Sequence, residues 1–138
     1  MTAKEYLEQA RYLDQRINSK LTQVESLRSL ATRITTVYSD MPHNASRDNH
    51  KFEKILAKIV DLESEIDSDV DRLVDLKKEI MTAINAMKDD KYRVLLEMRY
   101  LGQQTWEQIS VQLGYDSRYI RKMHGWALQK ITVPEKKT

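Results

Sequence analysis

Cysteine is missing from all 138 residues, so no disulfide, thiolate zinc site or cysteine nucleophile can be built. Glycine occurs three times and proline twice, too little punctuation for the many turns of an all-β fold. No apolar run approaches the roughly 18 residues of a membrane span. The opening MTAKEYLEQA has no apolar signal-peptide core either. The expectation is a soluble, cytoplasmic protein with no membrane partner. No Gly-rich phosphate loop, nucleophile with its base, or paired catalytic carboxylates stand out, so no enzyme and no cofactor are expected. His43 and His50 flank a polar stretch with no third histidine nearby; they read as solvated residues, and no metal is expected.

Charge is plentiful, at 32% of the residues, and nearly balanced at a net +2. Its distribution is uneven. Ser117 to Thr138 holds Arg118, Arg121, Lys122, Lys130, Lys136 and Lys137 against the single acid Glu135. Such a local excess suits phosphate neutralisation, although a solvated helix face has the same composition.

From Tyr6 the apolar residues step by three or four through Ala10, Leu13, Ile17, Leu21, Val24, Leu27, Ala31, Ile34 and Tyr38, a heptad-like seam. Pro42, Asn44, Ser46 and two Asp interrupt it, which predicts a connector at 39–50. The pattern resumes at Phe52, Ile55, Ile59, Leu62, Ile66, Val70, Leu73, Leu76, Ile80, Ile84 and Met87. The spacing predicts two helices of similar length, each roughly 50 Å at 1.5 Å per residue, folded back as an antiparallel hairpin over 1–88. One hairpin covers little apolar surface. A homodimer is therefore expected, with Leu13, Ile17, Val24, Leu62, Ile66 and Leu73 as the oligomerisation or partner contacts.

The second helix carries Glu63, Asp67, Asp71, Asp75 and Glu79 at a strict spacing of four, beside Asp61, Glu65 and Asp69. Like charges at that spacing weaken an isolated helix by a few tenths of a kcal/mol per pair. An antiparallel first helix would answer them with Arg11, Arg16, Lys20 and Arg28; a basic partner protein is the other possibility. A straight row disperses carboxylates where a calcium loop converges them.

After Lys88 the texture changes to three short amphipathic segments, predicting a small domain at 89–133 and a basic tail at 134–138. The first places Val94, Leu95, Met98 and Leu101 on one face and closes at Gly102. The second opens on Thr105 and Gln108, a capping-box pair, and runs through Ile109 and Leu113 to Gly114. The third starts at Asp116 or Ser117 and turns Ile120, Met123, Ala127, Leu128 and Ile131 inward. A short helix, a glycine turn and a basic second helix are the parts of a helix-turn-helix.

At 100° per residue Arg118, Arg121, Lys122, Gly125 and Gln129 share the face opposite that core, where a recognition helix meets base edges and phosphates. Thr105 and Ser117, at the starts of the second and third segments, complete the candidate DNA-contact set. Gly125 costs a helix interior about 1 kcal/mol relative to Ala; it either admits a DNA backbone or is a tolerated weak spot. Tyr119 and Trp126 read as packing on a neighbouring helix, and His124 as a core histidine.

The stretch VLLEMRYLGQQTWEQISVQLGYDSRYIRKMHGWALQKI resembles the C-terminal, −35-reading domain of primary-type sigma factors. Thr105 to Ile109 stands where those carry Thr-x-x-Glu-Ile, and Leu113-Gly114-Tyr115-Asp116 where they carry Leu-Gly-x-Ser. Ile120-Arg121-Lys122-Met123 and Ala127-Leu128 with Lys130-Ile131 are similar to their Val-Arg-x-Ile and Ala-Leu-x-Lys-Leu. Gln108, Asp116, Trp106, Gly125 and Trp126 depart from the pattern, so base preference does not carry over. The whole chain, through MTAKEYLEQARYLDQRINSKL and DLESEIDSDVDRLVDLKKEI, is similar to ArpU-type and RinA-type late transcriptional regulators of phages and prophages. That resemblance implies an all-α regulator of packaging or lysis genes that binds double-stranded DNA. A chain of this length has no space for a domain that melts the −10 element, so it is expected to act beside host RNA polymerase. Two alternatives stay open: a small-terminase-like packaging recruiter, and a module that grips polymerase and scarcely touches DNA.

Overall fold

Residue spacing of three and four along two long stretches produces two long helices, as the periodicity requires. The computed structural model describes residues 1–39 and 45–134, with side chains described outside 36–48. The described chain is all-α: α1 (Ala3–Ser39), α2 (Ala45–Asn85), α3 (Asp90–Leu96), α4 (Trp106–Leu113) and α5 (Ser117–Lys130), with a π-helical turn, Glu97–Leu101, continuing α3. No strand occurs among the described residues, and no described helix is long and apolar enough to cross a membrane.

The connector expected at 39–50 is shorter than its composition suggests. α1 reaches Ser39 and α2 already runs from Ala45, because Ser and Asp suit the start of a helix as well as a loop. Pro42, His43 and Asn44 lie outside the described residues, as do Lys136 and Lys137 of the tail. His50 is an exposed residue of α2.

The chain divides into two compact units, and the division does not fall at residue 88. Met1–Asp14 belongs with Arg72–Thr138, and Gln15–Asp71 forms the other unit. In the Gln15–Asp71 unit, α1 contributes buried Ile17, Val24 and Ala31, and α2 contributes Ile59, Leu62 and Ile66. Ion pairs fix their direction. Lys20 Nζ lies 2.7 Å from Asp69 Oδ2 and 3.8 Å from Glu65 Oε2, Arg16 Nε lies 4.0 Å from Asp69, and Arg28 pairs with Glu63. Numbers on α2 fall as those on α1 rise, so the two segments run antiparallel.

The seams differ from the apolar pattern at one level. Lys20 and Asp69 are buried, whereas Leu21 is 46% and Val70 is 40% exposed. Steps 17, 20, 24 and 66, 69, 73 keep the spacing as well as those through 21 and 70 do, so a charged pair occupies the interior and its apolar neighbours turn outward. Of the cations expected to answer the acidic row, Arg16, Lys20 and Arg28 do so and Arg11 does not.

Within the Met1–Asp14 and Arg72–Thr138 unit, Tyr6, Leu7, Ala10 and Leu13 of α1 and Leu73, Leu76, Ile80, Ile84 and Met87 of α2 are buried. The Tyr6 hydroxyl donates to Glu79 Oε2 at 3.2 Å, and burial, followed by the Glu79 charge, pushes its pKa up to about 12. The six residues expected to meet a second copy or a partner, Leu13, Ile17, Val24, Leu62, Ile66 and Leu73, are each less than a tenth exposed in the single chain. Within the single chain they belong to its own interior.

Breaking one half of a buried ion pair strands the other charge, which costs about 3–5 kcal/mol, whereas replacing both halves by apolar groups is close to neutral. Arg16 stays beside Asp69 when Lys20 is lost, so Lys20→Met is expected to lower the unfolding free energy by at most that amount, and Lys20→Met with Asp69→Leu to recover most of the loss. Denaturant titration of the single and double variants checks this.

Candidate nucleic-acid interface

The last third is held together by a small core of Leu95, Ile109, Ile120 and Met123, with Tyr92, Met98, Trp106, Leu113 and Tyr115 packed against it. α5 packs on both α3 and α4. Each helix end is closed by the residue whose chemistry suits it. Thr105 Oγ1 accepts from the Gln108 amide at 3.2 Å, and Gln108 Oε1 accepts from the Thr105 amide at 2.9 Å, the reciprocal box expected of Thr-x-x-Gln. Gly114 ends α4 in the left-handed region, φ 74°, its N–H donating to Ser110 O at 2.9 Å. Asp116 caps α5 by accepting from the Arg118 amide at 3.4 Å, leaving Ser117 as the first helical residue.

Gly102 serves differently. Its φ of −87° suits any residue, but an added Cβ would stand 2.9 Å from the Met98 carbonyl oxygen. The π turn draws the chain that close, with the Gly102 amide donating to Glu97 O at 2.8 Å.

On α5, Ile120, Met123, His124 and Ala127 are buried, at the spacing of one helix face. Arg118, Arg121, Lys122, Gly125 and Gln129 are all exposed, Ser117 is half-buried, and Thr105 is exposed at the start of α4. Arg118, Arg121 and Lys122 make no ion pair with any described residue, so their charges are available to an outside group. At Gly125 an added Cβ would meet nothing within 4 Å; no protein neighbour requires the glycine.

Two features escape a reading by face and charge. Tyr119 and Trp126, expected against a neighbouring helix, are 39% and 43% exposed. Their rings meet edge to face at 6.0 Å, and Tyr119 also meets Tyr115 at 5.2 Å, a partly exposed aromatic row along α5. The second feature is a polar stack. The Arg99 guanidinium lies 4.1 Å over the Trp106 ring and its Nη1 donates to Gln104 O at 2.9 Å. Trp106 in turn meets the His124 ring at 4.7 Å. Capping-box spacing locates Trp106, but nothing in the sequence pairs it with Arg99.

Burial pushes the Tyr100 phenol up to about 12, so it stays protonated, and its hydroxyl shares a hydrogen bond with His124 Nε2 across 2.6 Å. Burial first, then Arg99 and Lys4, push His124 down to about 4. Among the described residues, no group of three or more His, Asp or Glu side chains converges as a metal site would require.

Because the folded pKa of His124 lies below its ordinary 6.5, the unfolded chain takes up the proton first on acidification. The stability this provides is complete above pH 6.5 and is lost as pH falls toward 4, on the order of 3 kcal/mol in all. Melting between pH 7 and 4 should show that loss in the wild type and a shallower dependence in His124→Gln. Equal slopes would mean that His124 does not titrate this way.

No curated protein and no solved structure matches the chain. The family described as "Protein of unknown function (DUF1492)" matches residues 37–131, well over half of the sequence and including α2 to α5, and the chain belongs to that family.

Proposed function

We propose that this protein is a sequence-specific DNA-binding transcriptional regulator in which α4, the turn at Gly114 and α5 form a helix-turn-helix. The observation that carries the reading is the face of α5: Arg118, Arg121 and Lys122 stand exposed and without ion pairs on its first two turns, opposite buried Ile120, Met123 and Ala127. A recognition helix presents such residues from its N-terminal turns to base edges and phosphates. Thr105 and Ser117 at the two helix starts, and Gln129 further along, extend the contact surface, and Gly125 lets a DNA backbone approach where a side chain would project.

The resemblance to phage and prophage late regulators extends this reading to packaging or lysis genes, with the protein working beside host RNA polymerase at the nucleoid. The antiparallel α1 and α2 segments are then a hairpin arm. A homodimer would have to use apolar side chains outside its seam, such as Leu21, Leu30, Leu56, Val60 and Val70, which are all exposed. The partly exposed row Tyr115, Tyr119 and Trp126 favours one further reading, a module whose main contact is polymerase, since exposed aromatic side chains are typical anchors of protein interfaces.

Alanine variants separate base reading from plain charge. Arg118→Ala or Arg121→Ala is expected to cost about 1–3 kcal/mol on the preferred duplex and to relax choice at one or two base pairs. Lys136→Ala with Lys137→Ala should weaken all duplexes alike and lower the salt slope. Binding isotherms across a salt series, on preferred and scrambled duplexes, measure both effects. Equal losses on both duplexes for every variant would favour the polymerase module.

A further inference from the structure

Lys4 of α1, Arg99 of the π turn and Arg121 of α5 line one cavity of about 330 Å³ together with Trp106 and His124, and Glu8 is the one carboxylate among its described lining residues. All belong to the same compact unit. The side chains of Lys4, Arg121 and Glu8 form no ion pair or hydrogen bond with any described residue, so three cations face one carboxylate among the described lining residues. His124 adds none: burial and the neighbouring cations keep it neutral at pH 7.

Arg99 is the preorganised member. Stacking on Trp106 and one bond to Gln104 O hold its plane in place and leave further N–H donors in a fixed fork. Concentrating cations around a half-buried guanidinium is unfavourable without an anion. Burial foremost, then Arg11 and Arg121, lower the Arg99 pKa accordingly. A planar guanidinium flanked by a lysine and a second arginine matches the oxygens of a phosphate group.

We propose that this cavity is a phosphate-binding site, and that it takes a backbone phosphate of the duplex lying along α5. Arg121 links the two surfaces, since it lines the cavity and stands on the exposed face with Arg118 and Lys122. The helix α1, which sequence reading assigns wholly to assembly, thus supplies a nucleic-acid contact through Lys4. The choice of duplex as the source rests on the DNA-binding function proposed above; the phosphate chemistry does not.

The test uses the full chain and Lys4→Gln, an exposed position whose side chain bonds to no described residue and whose replacement is expected to leave helicity unchanged. Melting is followed against inorganic phosphate and against chloride at matched ionic strength. Phosphate should raise the midpoint of the wild type beyond the chloride effect, Lys4→Gln should lose that excess, and Glu8→Gln should enlarge it. On duplexes, Lys4→Gln should weaken preferred and scrambled sequences equally and lower the salt slope by about 0.9, the value of one phosphate contact.

A wild type that does not distinguish phosphate from chloride, or a Lys4→Gln variant that responds like it, overturns the site. Loss of the phosphate response with an unchanged duplex slope overturns the DNA source in favour of a free phosphate. Should the wild type bind no duplex at all, the proposed function and the DNA source fail together, and the phosphate titration alone decides the cavity.

Discussion

Ile120 and Met123 insert between Leu95 of α3 and Ile109 of α4, and the rotation of α5 about its own axis depends on that insertion. A helix of this length has a single strongly apolar face, and burying a side chain such as Ile is worth about 1.5–3 kcal/mol. Turning α5 by one residue would expose both and bury Arg121 or Lys122, each of which would need a partner that the core lacks. The outward direction of Arg118, Arg121, Lys122 and Gln129 is therefore a consequence of packing. The caps act in the same sense: Thr105 with Gln108, Gly114 and Asp116 set where α4 and α5 begin and end, and so which residues fall on the first turns of α5.

Much of this was legible because the signals were local. The capping box, the glycine turn and the inward set of α5 depend on residues within one or two turns of each other, and spacing captures them. What spacing missed depends on partners distant in the chain. Lys20 and Asp69 are polar by type, and their pairing across α1 and α2, with Arg16 and Glu65 beside it, makes a buried position tolerable; an apolar pattern selects Leu21 and Val70 beside them. Arg99 on Trp106, Tyr100 with His124, and Lys4 at the same cavity join positions far apart in sequence. The π turn has no propensity signature, although the steric demand at Gly102 follows from it. The helical start of α2 was hidden because its capping-type residues are also those of turns.

The seam between α1 and α2 changes what assembly requires. Leu13, Ile17, Val24, Leu62, Ile66 and Leu73 stabilise a single chain, so apolar periodicity alone is not an argument for a second copy. Asp67, Asp71 and Asp75 of the acidic row remain exposed and make no ion pair with any described residue.

The central claim is that α5 reads sequence, and selection from a random duplex library by the purified full chain tests it most directly. The account predicts enrichment of a short common motif over successive rounds, and loss of that enrichment for Arg118→Ala with Arg121→Ala while helicity is retained. Recovery of unenriched sequence by a folded wild-type protein that still retains duplex would contradict it, reducing α5 to a patch of charge.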